Sequence, residues 1–411
     1  MDKDNKLEFE ELLKSIIEAL TESSMPEKIK GEILNELNEI RGFALDSRAP
    51  RIMIVGRRGS GKSSLINAIF NNYVAETGDV KAQTGRGSWH SYKSELGDLE
   101  ILDTRGLGES DKPEEYAEEQ TPIEELERAV KDKCPDVILF LSKAKEVGAR
   151  IDEDIEQVKT LINIVKELHD YEIPLVGVVT QVDELTPKKE EPPFTSTVKQ
   201  NNINEAVSEL SRKLHNITPY EVKVIPTAAY KMFDENTKEL VEETVWNIEE
   251  LLNYLIEKLP NDAQLQLAKL SKIKSVQKKL ARKYGKRISV LCGGVGAVPI
   301  PVADLPVITG LQTTMILIIA AISGRKINKD SIKEFIGALG VNVGIGFALR
   351  QVARQLAKLI PGAGSAISGA VAAAGTLALC ESCIAYFIEN QSFEEAKAKF
   401  NSELEKNKEK M

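Results

Sequence analysis

The run Gly56-Arg57-Arg58-Gly59-Ser60-Gly61-Lys62-Ser63 constrains this chain more than any other stretch. Before it lies Ile52-Met53-Ile54-Val55, an apolar run that reads as a buried parallel strand. After it, Ser64-Leu65-Ile66-Asn67-Ala68-Ile69-Phe70 reads as the opening of a helix. Strand, GxxxxGKS and helix in that order describe a phosphate-binding loop. Its glycines let backbone N–H groups turn inward at the positive end of a helix. Lys62 supplies a point charge to the β- and γ-phosphates, and the Ser63 hydroxyl is placed to ligate Mg²⁺. The expected cradle is therefore Gly56, Arg58, Gly59, Ser60, Gly61, Lys62, Ser63 and Ser64.

Three later motifs bear on the rest of the ligand. Asp103-Thr104-Arg105-Gly106 follows the apolar run Leu99-Glu100-Ile101-Leu102. A carboxylate at such a strand end holds Mg²⁺ through water, and the Gly106 N–H can reach a γ-phosphate. Thr84, in the polar loop before it, is the candidate second protein ligand of Mg²⁺, with Thr77 as competitor. Thr180-Gln181-Val182-Asp183 ends the run Leu175-Val176-Gly177-Val178-Val179. The Asp183 carboxylate can accept from both N1–H and the exocyclic amine of guanine and would repel the acceptor N1 of adenine. Thr227-Ala228-Ala229 follows the last strand, where the Ala228 N–H can meet the guanine O6. Together these predict GTP and GDP as ligands and Mg²⁺ as cofactor.

Along the chain, Leu7, Phe9, Leu12, Leu13, Ile16, Ile17 and Leu20 have helical spacing, and Ile29, Ile33, Leu34, Leu37 and Ile40 mark a second helix. Strands are expected at 51–55, 88–94, 99–103, 136–142, 174–180 and 221–226, alternating with helical patterns, and residues 245–258 close this region as a helix. That alternation implies a mostly parallel sheet covered on both faces. Beyond it no strand pattern is expected. Residues 263–287 place Leu270, Ile273, Val276, Leu280 and Tyr284 on one helical face and nine Lys or Arg elsewhere. Residues 288–323 and 359–388 are apolar, with Asp304 and Glu381 as their respective single charges. The expected division is 1–48 as N-terminal helices, 49–258 as the nucleotide domain and 259–411 as a C-terminal helical domain. The fold class is α/β, a P-loop domain plus an all-α domain built from both terminal segments.

Composition narrows the classes. With 411 residues, 28% charged and 42% hydrophobic, the chain is long enough for two globular domains. A net charge of −9 argues against a nucleic-acid partner. Cys134, Cys292, Cys380 and Cys383 make no disulfide framework, and the Cys380/Cys383 pair sits in an Ala/Leu run with no second pair for a metal. Met1-Asp2-Lys3-Asp4 is no secretory leader, and Asp2 excludes N-myristoylation. A cytoplasmic compartment is expected. The basic 263–287 beside the apolar 288–323 suggests peripheral membrane contact, against the alternative of buried bundle helices. In either setting Gly362, Gly364, Gly369, Ala370 and Gly375 permit close helix approach.

The set of motifs resembles the translation-factor-like GTPases over 51–258. The run GRRGSGKSS is similar to the phosphate loop of the immunity-related GTPases, a dynamin-like, interferon-inducible family with helices on both sides of the nucleotide domain. Val298-Pro299-Ile300-Pro301, an apolar helix, then Ile327-Asn328-Lys329-Asp330-Ser331-Ile332 looks like that family's C-terminal pattern, and a related region occurs in bacterial membrane-associated Era-like GTPases. The resemblance implies GTP hydrolysis, nucleotide-dependent homodimers or oligomers formed through the GTPase domain, and action at a membrane or on a membrane-bound partner. The chain departs from the family at Gln181, which stands where a lysine usually covers the base. Leu107 occupies the place of the water-orienting Gln of small signalling GTPases, and Gly59 that of an Asn in potassium-using Era-like enzymes. Arg57 and Arg58 are the candidate substitutes, as charges in cis or across a dimer, beside Lys62, Ser63 and Thr84 as catalytic candidates. Other readings are an integral membrane protein regulated by its GTPase domain, an Era-like RNA or ribosome factor, and a non-hydrolysing switch.

Overall fold

A computed structural model describes residues 3–23, 25–71, 73, 89–94, 97–104, 122–148, 151–215, 217–234, 236–297, 305–324, 335 and 369–409. Helices α1 (Lys3–Glu22) and α2 (Glu27–Leu45) come first, then β1 (Arg51–Val55), α3 (Lys62–Phe70), β2 (Trp89–Ser94), β3 (Gly97–Thr104) and α4 (Pro122–Asp132). There follow β4 (Val137–Lys143), α5 (Asp152–His169), β5 (Leu175–Thr180), α6 (Thr197–Leu214) and β6 (Lys223–Pro226). Next are β7 (Ala228–Phe233), β8 (Leu240–Trp246), α7 (Ile248–Lys258), α8 (Asn261–Ser271) and α9 (Lys274–Gly296). Helices α10 (Leu305–Ile322), α11 (Gly369–Cys383) and α12 (Phe393–Glu409) complete the described chain. It forms two compact units, Arg48–Ser271 and a helical unit of Met1–Ser47 with Lys272–Met411.

The first unit holds a six-stranded sheet in the order β2-β3-β1-β4-β5-β6. All its pairings are parallel except β2 with β3. The near-continuous apolar runs of β1, β4 and β5 follow from this arrangement. Helices cover both faces, so alternation is not required, and every residue of β5 is buried. The six expected strands and the six of the sheet coincide to within two residues at each end.

A hairpin, β7 with β8, was not foreseen. Its pattern is inverted. Lys231 is buried while its neighbours Tyr230 and Met232 are 43% and 40% exposed. The Lys231 Nζ donates to the Glu243 carboxylate across the ladder at 2.6 Å and to Asn71 Oδ1 at 2.9 Å. The hairpin packs beside α3, with Tyr73 edge-on to Phe233 at 5.3 Å. A buried lysine between exposed apolar residues does not read as a strand with a core face.

Helix α8 also lies in this unit, over residues expected in the C-terminal helical part. It is held by Arg48, whose guanidinium donates to both carboxylate oxygens of Asp136, at 2.8 and 2.7 Å, and to Asp262 Oδ2 at 2.8 Å. Burial works against this charge, but the two aspartates outweigh it and raise the Arg48 pKa. The expected single helical face over 263–287 is accordingly broken. Lys272 takes a left-handed φ of 52° between α8 and α9, and the two helices belong to different units. No glycine or proline marks that break.

In the helical unit, α10 packs on α1 and α9, and α11 lies along α9 and α12. Helix α10 is buried wherever its side chains are described. Its polar groups are paired: Thr313 and Thr314 donate to carbonyls one turn back, and Gln312 donates to Thr376 Oγ1 on α11 at 3.0 Å. Among the described residues one segment, Gly369–Ile388, is long and apolar enough to cross a membrane, and 72% of its apolar stretch is buried within the protein. Three cations of α9 are paired inside the unit: Lys278 with Glu389, Arg282 with Glu381 and Arg287 with Glu36. The Cys380/Cys383 pair is packing chemistry. Both thiols are buried and free, and burial pushes Cys380 up to about 12 and Cys383 well above its ordinary value. Cys380 fills the space left by Gly285, where a Cβ would lie 2.2 Å from its sulfur. Gly285→Ala should therefore destabilise the helical unit by about 1–3 kcal/mol. Adding Cys380→Ala should recover most of that loss, read as the thermal unfolding midpoint of the two variants.

Candidate nucleotide-binding site

The site begins where β1 runs out. Gly56 follows Val55 so closely beside β4 that a Cβ would lie 2.7 Å from the Leu141 carbonyl oxygen and 2.7 Å from Ser60 Oγ. The loop then turns through Gly59 and Gly61, with φ of 72° and 88°, conformations that side chains resist. The Ser60 N–H closes a turn on the Arg57 carbonyl at 3.0 Å. Gly61 caps α3, and Leu65 donates back to the Gly61 carbonyl at 2.9 Å. The leading N–H groups of α3, those of Lys62, Ser63 and Ser64, have no carbonyl within the helix to bond and face the cradle. Lys62 Nζ donates to the Gly56 carbonyl at 2.9 Å, so its charge sits over the loop. Ser60 Oγ is buried with no hydrogen-bond partner. The loop thus presents convergent donors and an open backbone, and it fits a polyphosphate.

The Thr180-Gln181-Val182-Asp183 motif is tied directly to this loop. Thr180, the last residue of β5, donates from Oγ1 to the Ser60 carbonyl at 2.8 Å. Gln181, left-handed at φ 56°, donates from Nε2 to the Gly59 carbonyl at 2.8 Å. Thr180 and Gln181 therefore hold the glycine-rich loop, and Asp183 lies in the short 3-10 turn Val182–Glu184. Burial, then the Glu184 charge, pushes the Asp183 carboxyl up. The third motif closes on the same corner. The Thr227 N–H donates to the Val179 carbonyl at 2.7 Å, and the Val182 N–H to the Thr227 carbonyl at 3.3 Å. Thr227 and Ala228 are buried, and Ala228 and Ala229 open β7, in register with Trp246 and Val245.

Asp103 lies near the end of β3 in register with Ile54, one strand over from the start of the loop. Thr77, Thr84, Gly106 and Leu107 lie outside the described residues. Of the residues expected at Mg²⁺, Ser63 lies at the head of α3 and Asp103 is placed by backbone register only. Among the described residues there is no group of three or more His, Cys, Asp or Glu that could hold a metal ion.

Two side chains near the loop escaped the sequence reading. Lys143, at the end of β4, comes so close that a Cβ on Gly59 would be 3.3 Å from its Nζ, which also donates to Glu146 at 3.0 Å. A cation at the carboxyl end of the strand beside β1 was the available signal. Asp154, in the first turn of α5, accepts from Arg57 Nε at 2.7 Å. Burial pushes the Asp154 carboxyl up against the pull of that arginine. Arg57 therefore reaches α5, and both Arg57 and Arg58 are exposed on the loop.

Residues 51–181 match the family model described as 50S ribosome-binding GTPase. The uncharacterized protein YkfA of Escherichia coli (strain K12) is 24% identical over 316 residues, which is 75% of this chain and 96% of the relative. The uncharacterized protein YfjP of the same organism is 27% identical over 206 residues, 49% of this chain and 64% of the relative. Among solved structures, Toc33 from Arabidopsis thaliana in complex with GDP and Mg²⁺ is 17% identical with a TM-score of 0.35, covering 61% of this chain and 96% of that one. Aquifex aeolicus Era bound to GDP and aluminium fluoride is 19% identical with a TM-score of 0.32, covering 59% and 68%. With the sheet order and the loop geometry, the family match makes Arg48–Ser271 a P-loop GTPase domain.

Thr180→Val keeps the shape of the side chain and removes its donor, leaving the Ser60 carbonyl unpaired. Guanine-nucleotide affinity should fall about tenfold, roughly the 1–2 kcal/mol of an orphaned buried acceptor. Titration of a fluorescent GDP analogue checks it.

Proposed function

We propose that this chain binds GTP with Mg²⁺ and hydrolyses it to GDP and phosphate. The observation that carries the reading is the direct bonding of the guanine motif to the phosphate loop, Thr180 to Ser60 and Gln181 to Gly59. One rigid corner then addresses both ends of the nucleotide.

In this reading the N–H groups at the head of α3 take the phosphate oxygens. Lys62 exchanges the Gly56 carbonyl for a β- or γ-phosphate oxygen. Ser63 and Asp103, with Thr84, would hold Mg²⁺, which neutralises charge as the γ-phosphoryl leaves. Asp183 accepts from guanine N1–H and the exocyclic amine, and the Ala228 N–H meets O6. In-line attack by water is then helped mainly by positioning and electrostatics. Lys62→Ala should abolish GTP binding by the same fluorescence titration, and unchanged affinity would sink the assignment.

The finer reading is of the immunity-related, dynamin-like kind, with self-association through the GTPase domain. Its support is the GRRGSGKSS loop and the gathering of both terminal segments into one helical unit. Arg58, exposed on the loop, is the charge proposed to act on a second copy. Turnover per molecule should rise with protein concentration. Arg58→Ala should remove that rise; a turnover flat in concentration for the native chain counts against self-association.

We place the protein in a reducing cytoplasm, which suits its four free thiols, with peripheral attachment to anionic membranes. Lys279, Lys283 and Lys286, exposed along α9, support that attachment. Pelleting with anionic but not neutral liposomes is the expected outcome.

A further inference from the structure

Helix α6 carries a group that the nucleotide chemistry above does not use. Lys199, in its first turn, is fully buried, with none of its surface exposed. Its Nζ donates to three main-chain carbonyls, those of Asp183 at 2.7 Å, Leu185 at 2.7 Å and Pro187 at 3.3 Å. The ammonium has three N–H groups, and each has one carbonyl to meet. Behind it stands the face of Phe194, 4.7 Å from Nζ to the ring centre.

The surroundings hold the same loop from the same side. Gln200 donates to the Phe194 carbonyl, and Asn202 donates to the Thr186 carbonyl at 2.9 Å. Glu190 accepts from the Ser196 N–H at 2.7 Å and from the Ser196 hydroxyl, which also caps α6. A buried ammonium is costly unless its donors are met, and here the acceptors are carbonyls of the very loop that carries the base-reading carboxylate.

We propose that Lys199 is a positioning residue for guanine: it fixes the main chain at Asp183 so that both carboxylate oxygens meet the N1–H and 2-amino edge. This inference rests on the guanine-nucleotide reading of the site. Lys199 touches no nucleotide atom. It sets selectivity by holding the 182–187 backbone in the register that brings the second carboxylate oxygen of Asp183 to the 2-amino group, a contact that GTP makes and ITP does not.

The test compares GTP, ITP and XTP binding to full-length variants by competition with a fluorescent GDP analogue. ITP lacks the 2-amino group; XTP carries an oxygen there. Asp183→Asn turns an acceptor into a donor and should reverse the preference from GTP to XTP. If it does not, the guanine reading fails, whatever Lys199 does. With that reversal seen, Lys199→Met is expected to fold, to lower the GTP:ITP affinity ratio about tenfold and to leave ITP affinity nearly unchanged. Lys199→Gln keeps one donor and should fall between; it replaces the Met variant if that protein does not fold, as judged by its melting curve. An unchanged GTP:ITP ratio in whichever variant folds overturns the proposal. So does an equal loss of GTP and ITP affinity, which is the mark of a merely structural role.

Discussion

The nucleotide unit depends on a backbone that has been cleared of side chains and then tied down. Gly56 clears it against the Leu141 carbonyl, and Gly59 and Gly61 let it turn. Thr180 and Gln181 tie it, each through a carbonyl of the loop itself. A loop rich in glycine has a large conformational entropy to lose, and a cradle that had to be ordered by its ligand would bind weakly. The two hydrogen bonds from the end of β5 bear that cost in advance. The parallel sheet makes this possible, because it delivers the ends of β1, β3, β4 and β5 to one edge in register.

The same economy recurs on the far side of the base motif, where main-chain carbonyls accept from buried donors. There the donor is Lys199, and the charge is neutralised by peptide dipoles and a ring face. The helical unit follows a different rule. Its helices approach closely through missing side-chain volume, as Gly285 does for Cys380 and Gly310 does for Ile16, where a Cβ would lie 2.4 Å from Ile16 Cγ1. On α10, Thr313 and Thr314 donate to carbonyls of their own helix and Gln312 to Thr376 of α11, whereas Ser275 Oγ and the Tyr284 hydroxyl on α9 are buried without a hydrogen-bond partner.

Much of the sheet was legible because its strands are simple. Val137 to Leu141 and Leu175 to Val179 are unbroken apolar runs, and no other environment suits them so well. The glycine-rich loop between β1 and α3 was legible because its turn demands particular residue types at fixed spacing. The β7–β8 hairpin was not, since Lys231 faces inward and Tyr230 and Met232 face out. The break at Lys272 was not, since nothing in Ser271-Lys272-Ile273 announces a left-handed residue. Lys199 lies in a polar stretch that reads as a solvated helix face, and the carbonyls it meets are invisible in a sequence.

By itself, the sequence determined the order of strand, loop and helix and the donor and acceptor types that the loop and the strand ends present. These are local matters, set by period, by glycine and by the identity of a carboxylate or an ammonium. Only the tertiary structure decided which side chains reach across from other strands and helices. Arg57 goes to Asp154, Lys143 lies beside Gly59, Cys380 fills the place of a missing Cβ, and Lys199 holds the Asp183 backbone. Those outcomes turn on distances between residues far apart in the chain and on which carbonyls are left to accept, and a linear pattern carries neither.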